Sequence, residues 1–190
     1  MKTVLIDNFD SFTYNIVHYI EEINNERPVV YRNNAFTLEA IEEFDSIVLS
    51  PGPGLPKDAG LTMQVIEKYH KHKIMLGICL GHQAIAQFFG AKLKNLKTVH
   101  HGVSCKLINP NDSVLYKNTI DYTVGRYHSW VVKKDTLPDT LLTTSTDDKG
   151  EVMSLKHKSL PIHSVQFHPE SVLTPCGKQM LYNFFNFYNG

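Results

Sequence analysis

The first 90 residues alternate short, wholly apolar runs with stretches whose apolar residues recur every three or four positions. "TVLI" (3–6), "VVYR" (29–32), "SIVLS" (46–50) and "IMLGI" (74–78) are too short for helices and read as strands. After the first strand, Phe12, Ile16, Tyr19, Ile20 and Ile23 fall on one face of a helix that Asp10 or Ser11 is placed to cap. Thr37 is placed to cap a short helix over "LEAIEEF", another helix spans roughly 60 to 72, and "GHQAIAQFFG" reads as a further one that stops at Gly90. Strands alternating with helices in this way predict a parallel sheet flanked by helices.

From about residue 98 to 167 the pattern changes to short strands with polar turns: "HGVSCKLI", "DYTVGRYHSWVV", "LLTTST", "EVMSLKH" and "IHSVQF". Thr174 followed by Pro175 marks a last helix start, with Met180, Leu181, Phe184, Phe185 and Tyr188 on its buried face. No linker, repeat or low-complexity segment separates the halves. Residues 1–190 therefore read as a single domain, a three-layer α/β fold whose mixed, mostly parallel sheet is extended by the second half.

Composition narrows the function classes. Nineteen basic side chains against 19 acidic ones give no concentrated positive face, which argues against a nucleic-acid partner. The apolar run around Ile74 to Leu80 is too short to cross a bilayer and "MKTVLIDNFD" lacks the apolar region of a signal peptide, so the expectation is a cytoplasmic protein with no membrane partner. Cys79, Cys105 and Cys176 are odd in number and unevenly spaced, without a C-x-x-C pair. The expectation is three separate thiols, no metal and no cofactor.

The chemistry concentrates where strands end. "GICLGHQ" (77–83) puts Cys79 between two glycines directly after a strand and before a helix, the form of the nucleophile elbow G-x-S-x-G with cysteine for serine. The alternative is a packed core thiol, since unpaired cysteines are among the most buried residues. Cys105 and Cys176 have no such frame and read as structural. In "SVQFHPES", the residue before proline favours extended chain, which points His168 and Glu170 the same way, so that the carboxylate can orient the imidazole. A base and its orienter follow from that pairing. Backbone N–H groups can hold a developing oxyanion: Leu80 supplies one, and "SPGPG" (50–54) brings Gly52 and Gly54, stiffened by Pro51 and Pro53, to the same sheet edge. Gln83, one turn after Cys79, can hydrogen-bond a polar substrate group.

Together "SPGPG", "GICLGHQ" and "VQFHPES", in this order, resemble the class I (triad) glutamine amidotransferases over nearly the whole chain. "IDNFDSFTYN" and "RYHSWVV" narrow the resemblance to the small glutaminase subunits of chorismate-using synthases. The resemblance implies a flavodoxin-like fold, a Cys79-His168-Glu170 triad, L-glutamine as substrate, a γ-glutamyl thioester, and ammonia passed to a partner subunit. It places Gly52 and Leu80 as oxyanion donors, with Pro53, Gly54, Gln83, Ser129 and Trp130 around glutamine. Trp130 departs mildly, since many relatives carry leucine there. The implied partner is anthranilate synthase component I, with aminodeoxychorismate synthase component I, or both, as the alternative. A cysteine peptidase or related hydrolase on a similar scaffold is a remoter reading, and an inactive binding homologue would be expected to lack part of the triad.

Overall fold

In the computed structural model, which describes residues 1–190, fifteen regular elements follow one another in the order β1 (Thr3–Asp7), α1 (Thr13–Asn24), β2 (Val29–Arg32), β3 (Ser46–Leu49), α2 (Thr62–Tyr69), β4 (Ile74–Ile78), α3 (Leu80–Phe88), β5 (Leu93–Asn95), β6 (Val103–Lys106), β7 (Thr123–Arg126), β8 (Trp130–Val132), β9 (Leu141–Thr146), β10 (Val152–His157), β11 (Ile162–Val165) and α4 (Gly177–Asn189). Seven strands form the central sheet in the order β2-β1-β3-β4-β11-β10-β9. The five from β2 to β11 are mutually parallel, while β10 and β9 close one edge antiparallel.

The central strands are apolar on both faces because both are covered. Leu5, Val48, Leu76 and Ile78 pack with Ile16, Val17 and Ile20 of α1 and with Met180, Leu181, Phe184 and Phe185 of α4. Val4, Ile6, Ile47, Leu49 and Met75, alternating with them, pack on the other face with Val65 and Ile66 of α2 and Ala84 and Ile85 of α3. This is the three-layer arrangement expected from the pattern. No helix is long and apolar enough to cross a membrane.

Several local expectations are corrected. Helix α1 begins at Thr13 with Phe12 in the capping position, and no side chain caps it. Asp10 instead accepts the Phe12 N–H on Oδ2 at 2.7 Å and closes the turn before the helix. That turn swings Phe12 out of the apolar face, leaving it 48% exposed. Residues 38–41 make one 3₁₀ turn rather than an α-helix, and the Thr37 side chain makes no cap. Thr174 does not cap α4 either, whose capping position is Cys176.

The run 121–132 is two strands, not one. β7 pairs with β6 and β8 with β5, in separate two-stranded sheets, so only β9 to β11 extend the central sheet. The break at Tyr127–Ser129 has a local cause: His128 Nδ1 turns back to the Trp130 carbonyl at 3.0 Å, while the Ser129 carbonyl accepts from Leu96 N–H at 2.7 Å. β5 is three residues long and two of the three, Lys94 and Asn95, are polar, so no pattern marks it.

Candidate active site

β4 and α3 meet at Cys79 with no loop between them. The Cys79 N–H donates to the Val165 carbonyl at 2.8 Å, continuing the β4–β11 ladder, and its carbonyl accepts the Gln83 N–H at 3.1 Å, opening the helix. One residue serves both elements only by adopting φ 50° and ψ −98°, a strained conformation for a residue with a side chain. Such strain costs on the order of 1–3 kcal/mol and persists where the surroundings enforce it. The enforcing contacts are close. A Cβ on Gly81 would lie 2.4 Å from the Leu49 carbonyl oxygen, and one on Gly77 2.6 Å from that of Gly81, so only glycine lets α3 sit this near the sheet. Cys79 is 5% exposed, and the Leu80 N–H, first in α3, has no intrahelical acceptor.

Strand β11 runs beside β4 and delivers the second group. Past Val165 the chain carries His168, whose Nδ1 lies 2.6 Å from Glu170 Oε1, both side chains being buried. The chain does not stay extended here, contrary to the expectation for a residue before proline. Pro169 and Glu170 form the corners of a turn closed by the Ser171 N–H on the His168 carbonyl at 3.2 Å. Thr174 Oγ1 donates to the same carbonyl at 2.6 Å and accepts the Gly125 N–H at 2.9 Å, tying the turn to β7. Burial by itself would push the His168 imidazole down, but the Cys79 sulfur and the Glu170 carboxylate outweigh it and hold it well above its ordinary value. His168 Nε2 makes no hydrogen bond of full geometry, but the Cys79 sulfur beside it acts on the imidazole both by charge and by a hydrogen-bonding approach. Catalytic contacts commonly tighten only when substrate arrives.

Helix α4 holds this turn from below. A Cβ on Gly177 would come within 1.8 Å of the Pro169 carbonyl oxygen, contact no shift of a side chain can relieve. Gly177→Ala is therefore expected to cost about 1–3 kcal/mol, the range for overpacking, and to displace the His168–Glu170 turn. Thermal or denaturant melting checks it, and a variant as stable as the parent would contradict the packing described.

Cys79 lies between two cavities. A smaller one of about 180 Å³ is lined by Gly52, Pro53, Gly54, Gln83, Ser129 and Trp130 together with Cys79, Tyr127 and His128. Every residue singled out for binding from the sequence is thus gathered there except Leu80, which adjoins Cys79. Gln83 Nε2 donates to the Trp130 carbonyl at 2.9 Å and to Gln166 Oε1 at 3.1 Å. Those bonds fix the amide and leave its oxygen facing acceptor work. The second cavity, about 400 Å³, opens from Cys79 and His168 toward Phe9, Asp10, Ser11 and Phe12. Burial raises the Asp10 carboxyl, against the Phe12 N–H and the nearby His168 that favour its charge.

The polar "DNFDSFTYN" resolves into two roles. Asp7 Oδ1 accepts from the Phe9 N–H at 3.0 Å and from Thr13 Oγ1 at 2.8 Å, and Asn8 bonds Ser50, Asn33 and Thr62 through its side chain and backbone, clamping this loop to the 50–54 loop. Phe9, at φ 64°, and Phe12 remain half-exposed at the mouth of the larger cavity.

Three contributors were missed from the sequence. Gln166 is fully buried and its Nε2 approaches Cys79 Sγ at 3.6 Å. Gln166 directly follows β11, two residues before His168, and nothing in its spacing marks it out. Tyr127 sets its ring edge against His168, with centroids 5.0 Å apart, and lines both cavities. His82 is buried with Nδ1 2.9 Å from Ser164 Oγ, linking α3 to β11; burial lowers it to about 3, so it stays neutral. Cys105 is a poor nucleophile by contrast, since burial pushes its thiol up. No group of three or more His, Cys, Asp or Glu side chains is placed to hold a metal.

A strained cysteine, an adjacent free helix N–H and a buried histidine oriented by a carboxylate can together open an amide by nucleophilic attack. Comparison with known proteins agrees with that chemistry. The chain is 44% identical over 188 residues to "Bifunctional protein TrpGD" of Thermotoga maritima, covering 97% of this chain and about a third (32%) of that longer protein. It is 41% identical over 187 residues to "Aminodeoxychorismate/anthranilate synthase component 2" of Bacillus subtilis, covering 97% of this chain and 96% of that one. A glutamine amidotransferase crystal structure from Thermotoga maritima shares the fold, with a TM-score of 0.79 at 17% identity over 98% of this chain and 96% of that one. The family description "Glutamine amidotransferase class-I" matches residues 4–187, so that elbow, turn and cavities alike fall within it, and the chain belongs to the class-I glutamine amidotransferases.

Proposed function

We propose that residues 1–190 act as one glutamine amidotransferase domain, the glutaminase subunit of a chorismate-using synthase. The observation that carries the reading is the meeting of Cys79, on its strained elbow, with the His168–Glu170 pair at the edge of a small cavity framed by Gly52–Gly54, Gln83 and Ser129–Trp130. Glutamine enters that cavity with its side-chain amide at Cys79. His168, held protonated by the sulfur and Glu170, keeps the thiol proton on Nε2 while sulfur attacks the amide carbon, and the N–H groups of Gly52 and Leu80 hold the oxyanion. When the C–N bond breaks, His168 returns the proton to the departing nitrogen, which leaves as ammonia. Water then attacks the γ-glutamyl thioester, gives its proton to His168, and releases glutamate and the thiol. Glu170 keeps the ring in the tautomer and orientation both steps require.

The partner reading rests on the name of the Bacillus subtilis relative, a synthase component 2, and on the mouth of the larger cavity, where Phe9 and Phe12 leave aromatic surface uncovered. Anthranilate synthase is the first candidate and aminodeoxychorismate synthase the second, or one subunit serves both. Three free thiols with none paired fit a reducing, cytoplasmic setting. Docking at this mouth would order the 8–12 loop beside Cys79 and raise turnover. The expected result is low ammonia release from the isolated chain and a clear rise on adding the cognate synthase, greater with chorismate bound. A free chain already at full rate, unchanged by a synthase shown to bind it, would contradict the coupling.

A further inference from the structure

A third cavity, of about 160 Å³, lies behind the glutamine pocket, between the 96–100 segment and the β9–β10 turn; Lys97, His100, Arg126, Asp147, Lys149 and Glu151 line it. Its two carboxylates are already engaged. Asp147 Oδ2 pairs with Arg126 Nη1 at 2.7 Å, and its Oδ1 accepts the N–H groups of Lys149 at 3.0 Å and Glu151 at 2.8 Å. Glu151 pairs with Lys94 at 2.9 Å. The cations are not balanced in the same way: neither Lys97 nor Lys149 has an ion-pair partner. Arg126, only 2% exposed, keeps Nη2 buried with no hydrogen-bond partner. A buried guanidinium donor left unused is costly and calls for an acceptor. The local charge is felt by His100, which is lowered first by burial and then by Arg126 and Lys149, with Asp147 opposing.

We infer that this cavity binds a small free anion, a phosphate or a carboxylate, and that its occupancy stiffens the glutamine pocket. Arg126 supplies the directional donor and Lys97 and Lys149 the unpaired charge. The path to the pocket is short. Arg126 Nε donates to His128 Nε2 at 3.2 Å, His128 Nδ1 donates to the Trp130 carbonyl at 3.0 Å, and Gln83 reaches that same carbonyl. The 96–100 segment is bonded to the pocket as well, through Leu96 N–H on the Ser129 carbonyl at 2.7 Å and His100 N–H on that of His128 at 3.0 Å. An anion drawing Lys97 and Arg126 together therefore orders the 96–100 segment and the 126–130 segment it is bonded to, the second of which frames the proposed glutamine pocket. This second half rests on the glutamine reading above; the binding half does not.

The probes are inorganic phosphate and glutarate, titrated at constant ionic strength into the full chain while the His100 and Arg126 side-chain resonances are followed by NMR. Saturable shifts are expected, from phosphate if the site is tuned to a tetrahedral anion and from glutarate if to a carboxylate. The apparent affinity should fall at least about five-fold in Lys97→Gln/Lys149→Gln, the lower end of common coupling energies. Shifts that never saturate with either anion, or that are the same in the double variant, would overturn the site. Coupling is read separately by calorimetry of glutamine binding to Cys79→Ala, which the bound anion should tighten by a similar factor. Glutamine binding that ignores the anion would overturn the coupling. Absence of any glutamine binding would instead contradict the proposed function, with the NMR result on the site standing by itself.

Discussion

Cys79→Ala is expected to lower glutamine-dependent turnover by on the order of 10⁶-fold, the loss seen when the nucleophile is removed from a hydrolase triad, while ammonia-dependent turnover of the assembled synthase is unchanged. The asymmetry follows from where the thiol sits. Cys79 bridges β4 and α3 through its backbone, and those bonds to Val165 and Gln83 do not need the sulfur. Its side chain belongs to a cluster of twenty core residues, but only at the edge that opens into the cavities. Truncation therefore removes the attacking atom and leaves the scaffold that docks with a partner. Parallel assays with glutamine and with ammonium salts check it. Normal glutamine use by the alanine variant would exclude the mechanism; loss of both activities would point to a structural role.

The second large effect separates His168 from Glu170. His168→Ala removes the group that carries the proton in both half-reactions, so turnover is expected to fall on the order of 10⁶-fold, whereas Glu170→Gln, which still occupies the site, should fall about 10⁴-fold. The electrostatics provide a reading independent of rate. Burial pushes the His168 imidazole down, and Cys79 and Glu170 hold it up. Removing the Glu170 charge leaves burial less opposed, so the ring in Glu170→Gln should lose its proton at lower pH than in the parent. The NMR titration of His168 in the two proteins measures this directly. An unchanged titration, or equal and small rate losses from both substitutions, would remove the pair from the chemistry.

What the sequence made legible was whatever is encoded locally. The glycine frame of Cys79, the His-x-Glu spacing and the proline-stiffened 50–54 loop each announce themselves within a few residues, and their strands bring them to one sheet edge. The same holds for α1 and α4, whose apolar faces have helical spacing. Features that depend on distant partners were not legible. Phe12 has the spacing of a core residue, yet the turn at Asp10 starts the helix later and leaves the ring at the cavity mouth. The stretch 121–132 looks continuous, and the bonds of His128 and Ser129 together with pairing to two different strands break it at Tyr127–Ser129, which creates a wall of the smaller cavity. Gln166 and Tyr127 matter through contacts with Cys79 and His168 that no spacing rule encodes.

The most direct measurement is the site of covalent capture by a glutamine analogue carrying a diazoketone in place of the side-chain amide. The diazo carbon takes up the thiol proton through His168 and the Cys79 sulfur then displaces dinitrogen from that carbon, leaving a carbon–sulfur bond that peptide mass analysis locates. The expected result is one adduct per chain, on Cys79, suppressed by glutamine and absent from His168→Ala on the same timescale. An adduct on Cys105 or Cys176, or labelling of Cys79 that glutamine does not slow, would contradict the assignment of Cys79 as the nucleophile that opens the glutamine amide.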